Sequence, residues 1–303
     1  MRLFGIKVGG GQQETEEQAA RRVASEHQVA AGGLPLDAMD RLQNQARLQG
    51  TPGHLFTSDL SVNELSLVGD AGYAALGQVM GCSVYQVGWQ FYGSNLFPNG
   101  VNSSGELEML SEAYSAARQL AIGRMQQEAT ILGATGVVGV RLTQAKHEWG
   151  TGLLEFQAIG TAIRELDAAR PAEGSLPFVS DLSGSEFWLL RKSGYRPVGL
   201  AVGNCSYYCF PSYMSGGWKN QERTDYTQAL YRARELTMSR MESQARSVDA
   251  CGIIGADVDL EFDRPGIPQL PDTIYHFTAI GTSVAPMGRR LPDIELQSVV
   301  VMG

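Results

Sequence analysis

The chain has 303 residues, 43% of them hydrophobic and 18% charged, with a formal net charge of −8 and a pI near 5.1. That is long enough for one or two domains with buried cores and too apolar for a disordered chain. It is too acidic for phosphate backbones or anionic lipid to be natural partners, so neither nucleic acid nor a membrane surface is expected.

No stretch approaches the ~20 apolar residues that a membrane span needs, and residues 1–8 are too short and glycine-bound for a signal peptide. The expectation is a cytoplasmic protein. Four cysteines make no disulfide framework, which fits a reducing compartment. The 36 glycines stand well above the roughly 7% of average usage and follow no Gly-X-Y period, so they imply a repeated backbone need.

In chain order, residues 14–31 and 35–49 read as two polar helices separated by Gly32-Gly33-Leu34-Pro35, a helical arm with a face for a protein partner. The chain then says the same thing twice. Phe56-Thr57-Ser58-Asp59-Leu60-Ser61 recurs as Phe178-Val179-Ser180-Asp181-Leu182-Ser183. Gly72-Tyr73, Gly77 and Gly81 recur as Gly194-Tyr195, Gly199 and Gly203, and Arg118 and Arg124-Met125 as Arg234 and Arg240-Met241. Gly136-Val137-Val138-Gly139 returns as Gly252-Ile253-Ile254-Gly255, and Phe156-Gln157-Ala158-Ile159-Gly160-Thr161 as Phe277-Thr278-Ala279-Ile280-Gly281-Thr282. The organisation predicted is an arm over 1–55, repeats over 56–166 and 178–286, a linker over 167–177, and an extension over 287–303 whose residues 295–302 read as a strand.

Each repeat carries one order of elements. Ser61-Val62-Asn63-Glu64 and Ser183-Gly184-Ser185-Glu186 are capping boxes, each opening a short helix that Gly72 or Gly194 stops. Ser58, Asp59, Ser180 and Asp181 sit just before these helices with no histidine recurring beside them, so they read as turn and cap residues rather than nucleophiles. Strands follow over 73–89 and 195–210, interrupted by glycine. Both copies then enter an aromatic loop, with Trp89, Phe91, Tyr92 and Phe97 in the first and Phe210, Tyr213 and Trp218 in the second, which serves an interface or a ligand.

A long helix comes next, near 106–132 and 222–248. Tyr114, Arg118, Ile122, Met125, Ala129 and Leu132 lie on one face, as do Leu230, Arg234, Met238, Met241, Ala245 and Val248, and a sheet is expected to cover that stripe. Arg118 and Arg234 interrupt it. Each should snorkel, pair with a carboxylate at a subunit contact, or hold an anion. The glycine-rich segments at 133–140 and 249–256 lead from helix into strand, the reverse of a phosphate-binding loop.

The order of glycines in the strand, Ala/Arg-rich helix, Gly133-Ala134-x-x-Val137-Val138-Gly139-Val140 and a closing Phe-x-Ala-Ile-Gly-Thr resembles the YbjQ-like family, often labelled heavy-metal-binding, across most of both repeats. The resemblance implies an α+β domain, one long helix on a mainly antiparallel sheet, present here as a tandem duplication, and homo-oligomers in the form of a pentamer-like ring. It also directs attention to a heavy-metal ion. Soft metals want thiolates and imidazoles gathered around one ion, and the candidates are Cys82, Cys205, Cys209 and Cys251. None of these recurs in the other copy. Cys205 and Cys209 face one side of a strand, but four residues at ~3.3 Å each set them about 13 Å apart.

Three functions remain: a non-catalytic oligomeric binding module for a metal or small ligand, an assembly or adaptor platform for a protein partner, and an enzyme. The residues that recur are mostly glycine, alanine and apolar, with no repeated carboxylate pair or nucleophile and base. They favour the first two over catalysis.

Overall fold

The computed structural model describes residues 15–52, 54–87, 103–146, 153–167, 174–210, 222–263 and 273–288. The expected C-terminal strand over 295–302 lies outside them.

The arm is a helical hairpin, α1 (Glu16–Ala30) and α2 (Leu36–Leu48). Thr15 and Gln18 form a capping box on α1, and Pro35 stands one place earlier than read, at the N-cap of α2. Leu34 and Leu42 are buried in the main core. The arm is therefore docked rather than dangling.

The repeats follow with matching elements. The first has α3 (Val62–Asp70), β1 (Tyr73–Gln86), β2 (Gly105–Glu106), α4 (Glu108–Ile131), β3 (Gly136–Lys146) and β4 (Leu153–Glu165). The second has β5 (Phe178–Val179), α5 (Gly184–Lys192), β6 (Tyr195–Cys209), α6 (Thr224–Ser247), β7 (Gly252–Asp263) and β8 (Thr273–Pro286). The expected capping boxes form at Ser61–Glu64 and Ser183–Glu186, and Gly72 and Gly194, at φ 85° and 83°, take the left-handed position just past each C-cap. The duplication extends to irregularities: β1 and β6 are bulged between Ala75 and Gly77 and between Pro197 and Gly199, and β3 and β7 between Val138 and Arg141 and between Ile254 and Asp257. The turn residues also agree. Ser58 and Asp59 hold Thr161 as Ser180 and Asp181 hold Thr282, which ties the entry of each repeat to its last strand.

The sheets are not confined to their own repeats. Their orders are β1-β4-β3-β5 and β2-β6-β8-β7. Each receives an edge strand from the other repeat, β5 pairing parallel to β3 and β2 antiparallel to β6. Sequence reading placed residue 106 at a helix start and Phe178 at a domain start, and it foresaw neither exchange.

Each long helix lies on one face of its sheet, called here the front. Glycine makes the approach close: a Cβ on Gly81 would stand 2.0 Å from the Ala121 carbonyl oxygen, and one on Gly203 2.0 Å from that of Thr237. The helix row facing the first sheet is Ala117, Ala121, Met125 and Ala129, all fully buried. The expected stripe is thus shared. Met125 and Ala129 meet their own sheet, whereas Tyr114 and Arg118 lie between Phe156 of that sheet and the other repeat. Since backbone blocks the space, Gly81→Ala or Gly203→Ala should destabilise the chain by about 3 kcal/mol or more through overpacking, measured as a lowered urea midpoint.

Candidate functional site

The densest polar construction joins the repeats. Its first part is the exchanged strand. Adding β2 to β6 lets the Leu107 N–H donate to the Ser206 carbonyl at 2.8 Å and brings the Glu106 carboxylate to Arg240, Nη2 to Oε2 at 2.9 Å. Ser111 Oγ donates to Glu106 at 2.7 Å and accepts from the Ser206 N–H at 2.9 Å. Arg240 Nη1 donates to the Asn204 carbonyl at 2.8 Å, and Asn204 Nδ2 to the Ser111 carbonyl at 2.8 Å. Burial pushes the Glu106 carboxyl upward, but hydrogen bonds from Arg240 and Ser111 outweigh it and hold the group below its ordinary value.

The second part is the outer face of α4 against the back of the second sheet. Tyr114 stacks on His276 with centroids 5.2 Å apart. Arg118, 3% exposed, sits over the Phe156 ring at 5.5 Å and reaches Asn204 Oδ1 at 3.4 Å, while its Nη2 has no hydrogen-bond partner among the described residues. Burial lowers its pKa to about 10. Arg118 was expected to snorkel, meet a carboxylate or hold an anion; it is buried against an aromatic ring and an amide. Beside it a cleft of about 350 Å³ runs between Gln144 and Phe156 of one repeat and Asp257, Asp259 and Glu261 of the other.

The third part is the return contact. Phe178 pairs with Gly136, and its ring fills the space that a Cβ there would need, at 2.1 Å. Gly139 N–H and Val140 N–H donate to Leu182 and Ser180 carbonyls. Phe187 of α5 packs with Val68 of α3 and edge-on to Tyr73 at 5.1 Å, with Arg191 over the same ring. The front of one repeat thus meets the back of the other, so the two surfaces in contact are different.

Among the other expected residues, Cys205 and Cys209 are buried on the α6 face of β6, four positions apart, and Cys82 and Cys251 are exposed on β1 and before β7. Among the described residues no three of His, Cys, Asp and Glu gather as a metal site. Desolvation pushes the Cys205 thiol up to about 12, helped by nearby Glu106, and that of Cys209 to about 11. Phe210 is half-buried against the core and donates its N–H to Ser104 Oγ at 2.9 Å. Trp89, Phe91, Tyr92, Phe97, Tyr213 and Trp218 lie outside the described residues. Arg234 is exposed.

Sequence reasoning missed one constellation. Ser206 Oγ lies 2.9 Å from His276 Nδ1, and His276 Nε2 3.2 Å from Asp263 Oδ2. The order serine, histidine, aspartate has the composition of a nucleophile relay. Yet Ser206 is buried, its backbone is bonded to Ser111 and Leu107, and Tyr114 covers the imidazole. Its side chains make a polar layer between sheet and helix. The signal could have been found in the register, since Ser206 faces His276 directly.

Comparison with known proteins agrees with the duplicated architecture. A family model described as "Putative heavy-metal-binding", YbjQ-like, matches residues 71–165, the body of the first repeat. A protein of Mycobacterium tuberculosis named encapsulin nanocompartment protein is 40% identical over 241 residues, 77% of this chain and 87% of that one. The chain belongs to the YbjQ-like family. A UPF0145 protein of Clostridium perfringens is 42% identical over 64 residues, 21% of this YbjQ-like chain and 58% of that protein. Among the described residues no helix is long and apolar enough to cross a membrane.

Two outcomes follow from the titrations. The folded Glu106 carboxyl titrates below its unfolded value, so its contribution is complete above the ordinary 4.5 and drains away as pH falls through the folded value. Glu106→Gln should therefore lower the urea midpoint near neutrality and shrink its loss below about pH 4. The buried thiols give a second readout. Near pH 8, Cys205 and Cys209 should resist iodoacetamide until about the point of unfolding, while Cys82 and Cys251 of a dilute sample react at once, as mass spectrometry of the peptides would show.

Proposed function

We propose that this protein is a non-catalytic assembly protein, whose repeats, bounded near 56–166 and 178–286, extend head to tail into a homo-oligomeric ring that serves as a platform. One observation carries the reading: several surfaces used at the junction have equivalents elsewhere on the molecule that are exposed. Tyr73 is 5% exposed beneath Phe187, while its counterpart Tyr195 is 40% exposed. Arg118 is buried and Arg234 exposed. Phe178 fills the space at Gly136, whereas Gly252 is open but for Val284 and the counterpart ring, Phe56, is 40% exposed. On the front of the second sheet Val258, Leu260 and Phe262 are exposed beside Tyr231 of α6; on the back of the first, Met80 and Val84 are exposed. Apolar side chains left open on two unlike faces that already know how to fit are the mark of a heterologous contact.

The nanocompartment name of the Mycobacterium tuberculosis relative supports an assembly reading, and the helical arm adds a surface for a further partner. The heavy-metal reading borrowed from the family's description is less favoured, because a soft metal would need thiolates where burial keeps Cys205 and Cys209 protonated.

Light scattering across a concentration series should give a discrete mass of several chains. Val84→Asp on the back and Leu260→Asp on the front should each reduce it to the monomer without lowering the unfolding midpoint, since both side chains are exposed. A monomer throughout about the micromolar range, with the arm's contacts to the first repeat intact and with them loosened, would overturn the proposal.

A further inference from the structure

The arm holds, on the first repeat, an arginine whose counterpart in the second repeat is held by the carboxylate of an edge strand. From α6, Arg240 Nη1 donates to the Asn204 carbonyl of β6, and Nη1 and Nη2 donate to the Glu106 carboxylate that β2 delivers. The matching arginine on the first repeat is Arg124, which donates to the matching carbonyl, that of Cys82, at 2.6 Å. Among the described residues no carboxylate meets it there. Its Nε donates to the Gly33 carbonyl at 3.1 Å and its Nη2 to the Val29 carbonyl at 2.8 Å, both from the turn that ends α1. Gln127 binds the next carbonyl, that of Gly32, at 3.2 Å. Carbonyls at a helix C-terminus carry partial negative charge and stand in for a carboxylate.

The carboxylate that should come instead is identifiable. Glu106 is set by Ser111, five residues on, and its repeat counterpart Glu222 is set the same way by Thr227, whose Oγ1 donates to it at 2.9 Å. Glu222 is exposed, and among the described residues no cation pairs with it. The second repeat therefore presents an oriented carboxylate, and the first an arginine held by the arm. Among the described residues no strand pairs with the β1 edge at the place where β6 receives β2.

We propose that the 29–33 turn is a built-in competitor for self-assembly, occupying on Arg124 the place that Glu222 of a second copy takes. This rests on the head-to-tail reading and adds its regulation. An arm that must leave Arg124 before a copy docks raises the concentration needed for assembly by the inverse of the open fraction. The charged pair that replaces the carbonyls makes stronger, charge-assisted bonds, so assembly and arm release favour each other.

Deleting residues 15–52 would expose the core around Leu34 and Leu42, so the tethers are the better target. Arg41 binds Glu128 at 3.3 Å from an exposed position, and Gln127 holds the turn. Arg41→Glu with Gln127→Ala in the full chain should loosen the arm while leaving the repeats folded, checked by circular dichroism. Sedimentation velocity over a concentration series should then show the association midpoint about tenfold lower than wild type. Glu222→Arg should abolish association in either background, and adding Arg124→Glu should restore it between copies. An unchanged midpoint in the loosened variant overturns the competitor while leaving head-to-tail assembly standing. Failure of wild type and loosened variant alike to associate overturns both.

Discussion

The junction between the repeats joins unlike surfaces, and most of what is distinctive about the molecule follows from that. α4 is asked to serve two sheets: Ala117, Ala121 and Met125 settle onto its own, while Ser111, Tyr114 and Arg118 press on the back of the next. A two-fold contact would have consumed the same patch on both sides and left nothing over. A front-to-back contact consumes one face of each repeat and leaves the complementary faces open. Duplication thereby turns a single interface into a direction.

Polar groups give this contact its register. Apolar packing alone tolerates sliding, but Glu106, Ser111, Asn204 and Arg240 form a closed set in which each buried donor finds an acceptor, and one step of slippage would strand several of them. The Ser206–His276–Asp263 chain belongs to the same layer. Arg118 is the member least well served, with its Nη2 unpartnered among the described residues beside an acidic cleft, and burial holds its pKa below the usual guanidinium range. Specificity of docking, rather than net stability, is what such groups contribute.

Much of this was legible in the residues. The repeat, the capping boxes, the long helices and the glycines that admit them are local or periodic signals, each carried by a few residues at fixed spacing. The arm hairpin was also readable, and its docking was not, because Leu34 and Leu42 look like any apolar residues in a polar helix pair. The stripe on α4 was legible, but not that two sheets share it: both flank that helix, and periodicity records that a side chain is buried without recording by what. Glu106 looked like a helix-start acid, and its pairing with Arg240 spans the repeats, beyond any local pattern.

Sequence by itself determined that there are two copies of one α+β unit, where their helices begin and stop, and which positions must be glycine, since these depend on backbone sterics and hydrogen bonds among near neighbours. Tertiary structure alone decided that the copies trade edge strands, that Arg118 and Arg234 live in opposite surroundings, and that Glu222 stays exposed while Arg124 is held by the arm. Equivalent residues in a repeat share their local code. What separates them is which neighbour covers them, and that is set by how one copy lies against the next.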